Sequence, residues 1–275
     1  MPAIDARVRL VHPFPSLVNS ALVFGLALIA GGEPLRAGQL AVAMLGLQFC
    51  IGIVNDLIDE PIDALAKPWK PIPAGLISRR TAAAAAAVCG GGGLLLAAPA
   101  GAAVLAMYVA MLGCGLVYDF WLKPTAWAWL CFSIAFVVLP VYAWYGAAAG
   151  LPPRSEFLLP LAALAGPIVQ LSNGLADIER DRAVGLRTLA ARLGQRRSVI
   201  ILGLLIAIIH VLAWLTLPGA AVTAATLLAA AATLLAIAGL ALSAARRPML
   251  REAGWMTQAA SIALLGLGWV SAAVA

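Results

Sequence analysis

The chain has 275 residues, 63% of them hydrophobic and only 11% charged, with a mean hydropathy of +0.99. Soluble domains run to about 45–50% apolar and about 25% charged, so these few charges cannot cover a water-facing surface, and a soluble globular protein or a disordered chain is excluded. In a polytopic membrane protein the net charge of +6 reads as loop topology, and no nucleic-acid partner is expected.

The N-terminal stretch MPAIDARVRLVHPFPS is mixed and polar and carries no cleavable signal. Nine apolar helices follow in the sequence, at 16–31, 38–58, 81–98, 101–118, 125–149, 157–176, 197–217, 220–244 and 254–274. Each is long enough to cross the hydrocarbon layer, where helices or closed barrels are the only backbones that satisfy their own hydrogen bonds. No short alternating segments suggest a barrel. The breaks fall at Gly31-Gly32-Glu33-Pro34, Pro99, Pro124, Leu151-Pro152-Pro153 and Pro218-Gly219. In the third span the run Gly90–Gly93 is expected to allow close helix contact. Cys50, Cys89, Cys114 and Cys131 lie inside apolar segments without ligand-like spacing and read as small packed thiols. His210, alone in the seventh span, reads as a packed or hydrogen-bonded histidine, and His12 near the membrane edge is uninformative.

With nine spans, the N-terminus and the loops after helices 2, 4, 6 and 8 share one side. That side holds all 18 Lys and Arg except Arg36 and Arg154. It is expected to be cytoplasmic, because Lys and Arg collect there. All 12 acidic residues except Glu33 and Glu156 are on the same side, which the charge rule does not require. Something on that face needs carboxylates.

The second helix ends in Asn55-Asp56-Leu57-Ile58-Asp59-Glu60-Pro61-Ile62-Asp63. Asp56, Asp59 and Asp63 share a helix face, and like charges on one stripe repel unless a cation joins them. Pro61 is expected to disturb the last turn. The sixth helix ends in Asn173-Gly174-Leu175-Ala176-Asp177-Ile178-Glu179-Arg180-Asp181, with Asp177 and Asp181 four residues apart. Both clusters close an even-numbered helix and so emerge on the same side. Charges at helix ends are ordinarily solvated, and one Asp-rich turn alone would carry little. Two clusters on one side, each preceded by Asn and followed by basic residues, suit hard divalent ions such as Mg²⁺, which keep positions for water and substrate phosphate. Lys67 and Lys70 follow the first cluster, Arg180, Arg182 and Arg187 accompany the second, and Lys123 follows Tyr118 after the fourth helix. Cations there would stabilise a diphosphate leaving group.

The stretches NDLIDEPIDALAKPWKPIPAGLIS (55–78) and NGLADIERDRAVGLRTLAARLG (173–194) resemble the two signatures of the UbiA superfamily of intramembrane prenyltransferases. The resemblance implies an all-α, nine-helix membrane domain over 1–275 around a cavity open sideways to lipid. It assigns Asp56, Asp59 and Asp63 with Asn55 to the first Mg²⁺-diphosphate motif, and Asp177 and Asp181 with Asn173 to the second, with two Mg²⁺ ions. Lys123 contacts diphosphate beside Tyr118, and Lys67, Lys70 and Arg180 supply further cationic contacts. Lys70 stands where the family more often has Arg, a point charge in place of a bidentate fork. Asn19 on the first helix and Trp127, Trp129, Phe132, Phe136 and Trp144 on the fifth are candidates for cavity lining. The implied reaction transfers an isoprenyl group from an isoprenyl diphosphate to a lipophilic, aromatic acceptor. The expected location is a bacterial inner membrane, with the site on the cytoplasmic side. Two alternatives stand beside it: the same fold cyclising the prenyl chain or using a non-aromatic acceptor such as a glycerophosphate, and an ion-coupled transporter that uses the acidic pockets for ions.

Overall fold

The computed structural model describes residues 8–218 and 223–275. Asp5 and Arg7, counted above by side, lie outside them, as do Gly219 and the first residues of the span predicted from 220. The main helices are α1 (Pro13–Ile29), α2 (Pro34–Ala66), α3 (Arg79–Ala97), α4 (Ala102–Val117), α5 (Trp129–Ala148), α6 (Ser155–Ala176), α7 (Gln195–Thr216), α8 (Ala224–Ser243) and α9 (Pro248–Val274). Short helices at Ile178–Ala183 and Leu189–Leu193 follow α6. Local chemistry sets several starts. Proline opens α1, α2 and α9, where its missing N–H costs nothing. Ser78 caps α3 by accepting from the Thr81 N–H at 3.1 Å.

Among the described residues, eight helices are long and apolar enough to cross a membrane. The first of the nine expected spans is the shorter one: α1 has 17 residues, about 25 Å at 1.5 Å per residue. The expected boundaries also move. The sequence predicts an end at 58 for the second span, yet α2 runs on through Pro61 to Ala66, so the first acidic motif rides on regular helix. At 33 residues α2 is about 50 Å long and outruns the hydrocarbon layer. α5 begins at 129 rather than 125, because a π-helical turn at Tyr118–Leu122 and turns beyond it occupy the connection.

α1 packs against α2, α5 and α9; α6 packs against α5, α7 and α9; α8 lies along α9. Without water to drive helices together, these seams use small residues and interhelical hydrogen bonds. Gln258 Nε2 donates to the Ala236 carbonyl at 2.9 Å, and Ser261 Oγ to that of Ala232 at 2.8 Å, stitching α9 to α8. Leu204, Leu227, Leu234 and Ile237 point outward and are exposed, as a lipid-facing surface requires.

The glycine run makes the predicted close contact, but only half of it does so. Gly90 and Gly93 face α2, whereas a Cβ at Gly91 or Gly92 would meet nothing within 4 Å. On the α2 side, a Cβ at Gly46 would lie 2.6 Å from the Cys89 carbonyl oxygen. Gly46→Ala is therefore expected to push α2 and α3 apart at a cost of about 1–3 kcal/mol. A lowered thermal unfolding midpoint in detergent would report it, and an unchanged midpoint would contradict this packing.

Candidate active site

α1, α2, α4, α5, α6 and α9 surround a cavity of about 1230 Å³. Its deep part is apolar, lined by residues such as Leu47, Met111 and Phe136, and its mouth holds Asp59, Lys67, Lys70, Lys123, Asp177, Arg180 and Asp181. Asn19, Asn55, Tyr118 and Asn173 also line it. Of the aromatic candidates on the fifth helix, Phe132 and Phe136 reach the wall. Trp144 is instead buried in the core, and Trp127 is exposed.

The first cluster divides its duties. Lys70 Nζ donates to Asp56 Oδ1 at 2.8 Å and to Asp63 Oδ2 at 2.6 Å, so one ammonium joins two carboxylates spaced seven residues apart. Asp56 Oδ1 also meets His12 Nε2 at 2.9 Å. Asp59 instead receives Lys123 Nζ at 2.5 Å. Lys123 reaches it because the Lys123 N–H bonds the Tyr118 carbonyl at 2.8 Å, an i→i+5 closure. In such a turn residues five apart come to nearly the same side, which brings Tyr118 and Lys123 to the cavity together. Burial alone would depress the Lys70 ammonium, but Asp56 and Asp63 outweigh it and hold its pKa above the ordinary value.

The second cluster sits where α6 breaks. Asp177 ends α6 and opens the short helix Ile178–Ala183, and the Asp181 N–H donates to the Asp177 carbonyl at 2.9 Å. Arg180 lies 3.1 Å from Asp177 and 3.0 Å from Asp181, and Thr188 Oγ1 donates to Asp181 Oδ2 at 3.1 Å. Burial raises the Asp177 carboxyl, but Lys67 and Arg180 reverse this and hold it below the ordinary range. At Asp181 burial prevails over Arg180 and lifts the pKa. Arg180 is held above its ordinary value because the neighbouring carboxylates, Asp177 and Asp181 first and then Asp59, outweigh its burial.

One contact joins the clusters. Lys67, in the loop after α2, donates to Asp177 at the end of α6 at 3.0 Å, across 110 residues of chain. The two acidic segments thus border one cavity at one end of the bundle.

The five aspartates are not gathered into a ready metal nest. Among the described residues, no three or more His, Cys, Asp or Glu side chains stand close enough to hold an ion. Lys67, Lys70, Lys123 and Arg180 are interleaved with them instead. The donor chemistry nonetheless fits a hard cation: all five are carboxylates, and Asp63 Oδ1 is buried with no hydrogen-bond partner.

Three participants escaped the sequence reading. His12, set aside there, is the Asp56 partner. Asp119 is buried beside the cavity and accepts from Asn55 Nδ2 at 2.6 Å. It was a single acid with no partner spacing to mark it. Arg251, at 0% exposure, ties the α6 terminus to α9: its guanidinium donates to the Leu175 carbonyl at 2.7 Å and pairs with Glu179. Only its place at the start of an apolar helix hinted at such a clamp. His210 is buried and lies 3.1 Å from Thr233 Oγ1, as expected of a packed histidine.

A bundle of membrane-length apolar helices enclosing an apolar cavity with an acidic and cationic mouth defines an integral membrane protein with a charged site at one end of its bundle. The model of the UbiA prenyltransferase family matches residues 18–273, and the chain belongs to that family. The digeranylgeranylglyceryl phosphate synthase of Halobacterium salinarum is 30% identical over 198 residues, covering 70% of each chain. That of Methanoregula boonei is 30% identical over 204 residues with the same coverage. Among solved structures, a UbiA homologue from Aeropyrum pernix has a TM-score of 0.75 at 20% identity, covering 92% of this chain and 96% of that one. A UbiA homologue from Archaeoglobus fulgidus, solved bound to GPP and Mg²⁺, has a TM-score of 0.70 at 20% identity, covering 97% and 99%.

Proposed function

We propose that this prenyltransferase moves an isoprenyl group from an isoprenyl diphosphate to a lipophilic acceptor and releases diphosphate on the cytoplasmic side of the membrane, with α1 completing nine crossings. The observation that carries the reading is the Lys67–Asp177 contact, which seats both acidic segments on one cavity. Asp59, Asp177 and Asp181 line the mouth and, with Asp56 and Asp63 behind them, are the residues that would hold two Mg²⁺ ions. Bound Mg²⁺ would neutralise diphosphate oxygens and make the diphosphate a better leaving group.

The chain's own residues have the complementary work. Lys67, Lys123 and Arg180 present cations to the same mouth and can exchange a carboxylate for a diphosphate oxygen. Asn55 and Asn173 offer amides at the edge of the apolar part, and Tyr118 and Asn19 border the reacting end. Asn55 is pre-oriented by Asp119. As the allylic C–O bond breaks and diphosphate leaves with the electron pair, the apolar wall keeps water from the developing cation, so an electron-rich acceptor bonds to it instead and gives up its proton to the released diphosphate.

The acceptor expected from the sequence is aromatic. A second reading, an alcohol of a prenylated glycerophosphate, is supported by the names of the archaeal relatives. An assay of purified protein with Mg²⁺, a panel of isoprenyl diphosphates and both acceptor classes, read by mass spectrometry, tests both. The expected product is heavier than its acceptor by whole isoprene units.

A further inference from the structure

Every charged residue that lines the main cavity lies at its mouth end, yet three uncharged amides stand deeper in the wall: Asn19 on α1, Gln48 on α2 and Gln170 on α6. Their places in the chain set their depth. Asn19 follows His12 by seven residues, Gln48 precedes Asn55 by seven, and Gln170 precedes Asp177 by seven. Seven residues make two helical turns, about 10 Å at 1.5 Å per residue, and return to nearly the same helix face. Three helices from separate parts of the chain thus bring an amide to one level beneath the charged mouth. Gln170 is the informative member. It is only 4% exposed, and its Oε1 is buried without a hydrogen-bond partner. Gln48 Nε2 meets the Met44 sulfur, a weak acceptor one turn back on its own helix, at 3.7 Å.

An unpaired amide in an apolar interior is unfavourable, and a ligand that pairs it recovers that loss on binding. We propose that Asn19, Gln48 and Gln170 form the head-group site of the acceptor, a hydrogen-bonding belt that takes an uncharged polar group such as a phenol or quinol hydroxyl. This rests on the prenyl-transfer reading above. Amides offer donors and acceptors but no charge. The belt can therefore pair a hydroxyl or a carbonyl, but it cannot compensate a buried phosphate or carboxylate. With the donor's diphosphate held at the mouth, a head group at the belt meets the allylic carbon from the side opposite the departing diphosphate.

The experiment measures prenyl transfer by purified protein with Mg²⁺ and geranyl, farnesyl or geranylgeranyl diphosphate. The acceptors are uncharged phenols and quinols, with 1,4-naphthalenediol among them, and two anions, 4-hydroxybenzoate and a prenylated glycerophosphate. Wild type is expected to use an uncharged acceptor. Gln170→Leu should raise the KM for that acceptor by about tenfold, the value of one lost hydrogen bond in a buried site, and leave the KM for the donor unchanged. Its thermal midpoint in detergent should not fall, because the substitution removes an unpaired buried oxygen, whereas an amide with a purely structural role would lower the midpoint and leave the acceptor KM alone. Should Gln170→Leu fail to fold, Gln48→Leu decides by the same two Michaelis constants. The proposal is overturned if the variants keep the wild-type acceptor KM, or if the donor KM rises as much as the acceptor KM. It is equally overturned if wild type transfers only to the anionic acceptors, a result that leaves prenyl transfer itself standing. Absence of transfer by wild type from every donor to every acceptor would instead remove the prenyl-transfer reading, and the belt's role with it.

Discussion

Asp177→Ala is expected to abolish Mg²⁺-dependent prenyl transfer while leaving the protein folded. Asp177 is the point at which the clusters meet: Lys67 reaches it from the α2 loop at 3.0 Å and Arg180 from its own segment at 3.1 Å. Groups aimed at charge that develops in a transition state typically contribute about 10²–10³-fold each, and loss of a metal-holding carboxylate removes at least that much. The fold should survive for two reasons. Arg180 keeps Asp181 at 3.0 Å, and Lys67 has about a third of its side chain in solvent, so neither cation is stranded. Turnover and the thermal midpoint should be measured on the same preparation. Undiminished turnover in a well-folded variant would sink the proposed role.

Lys70→Met should act mainly on stability. Asp56 and Asp63 are 2% and 1% exposed, and Lys70 is the ammonium that joins them. Its removal takes the bridging cation from buried Asp63 and leaves Asp56 to His12 alone, at 2.9 Å. Breaking a buried ion pair on one side costs about 3–5 kcal/mol, because the remaining charge stays buried and unpaired. The linkage runs in a definite direction. Lys70 is raised above its unfolded pKa, so its contribution is fully present at neutral pH and is lost only as pH climbs through the folded-state value. Thermal unfolding in detergent at neutral pH should show a large fall in midpoint for Lys70→Met and a much smaller one for Lys70→Arg, which keeps the charge. Equal midpoints for Lys70→Met and wild type would show that this pair does not support the α2 end.

The Lys at position 70 shows where reading a sequence stops. As a departure from the usual Arg it offers a point charge in place of a bidentate fork. In the fold its Nζ lies between Asp56 and Asp63, where a compact ammonium serves both carboxylates. The three aspartates of the first motif read as one stripe, yet the fold turns Asp59 toward Lys123 while Asp56 and Asp63 face the Lys70 loop. Asp119 was invisible because a lone acid in an apolar segment has no periodic partner to mark it, and Arg251 because nothing in spacing sets it apart from its charged neighbours Arg246, Arg247 and Glu252. Their partners, Asn55 and Glu179, lie 64 and 72 residues away.

Composition and periodicity alone determined that this chain lives in lipid, that it is helical, and that its two acidic segments emerge on one side. Those properties follow from local physics: apolar length against bilayer thickness, backbone hydrogen bonds that must close within a segment, and the side preference of Lys and Arg. Only the tertiary structure decided which cation answers which carboxylate and that a π-helical turn delivers Lys123. Each of these depends on side chains brought together from distant helices, and spacing along one helix carries no record of what packs against it.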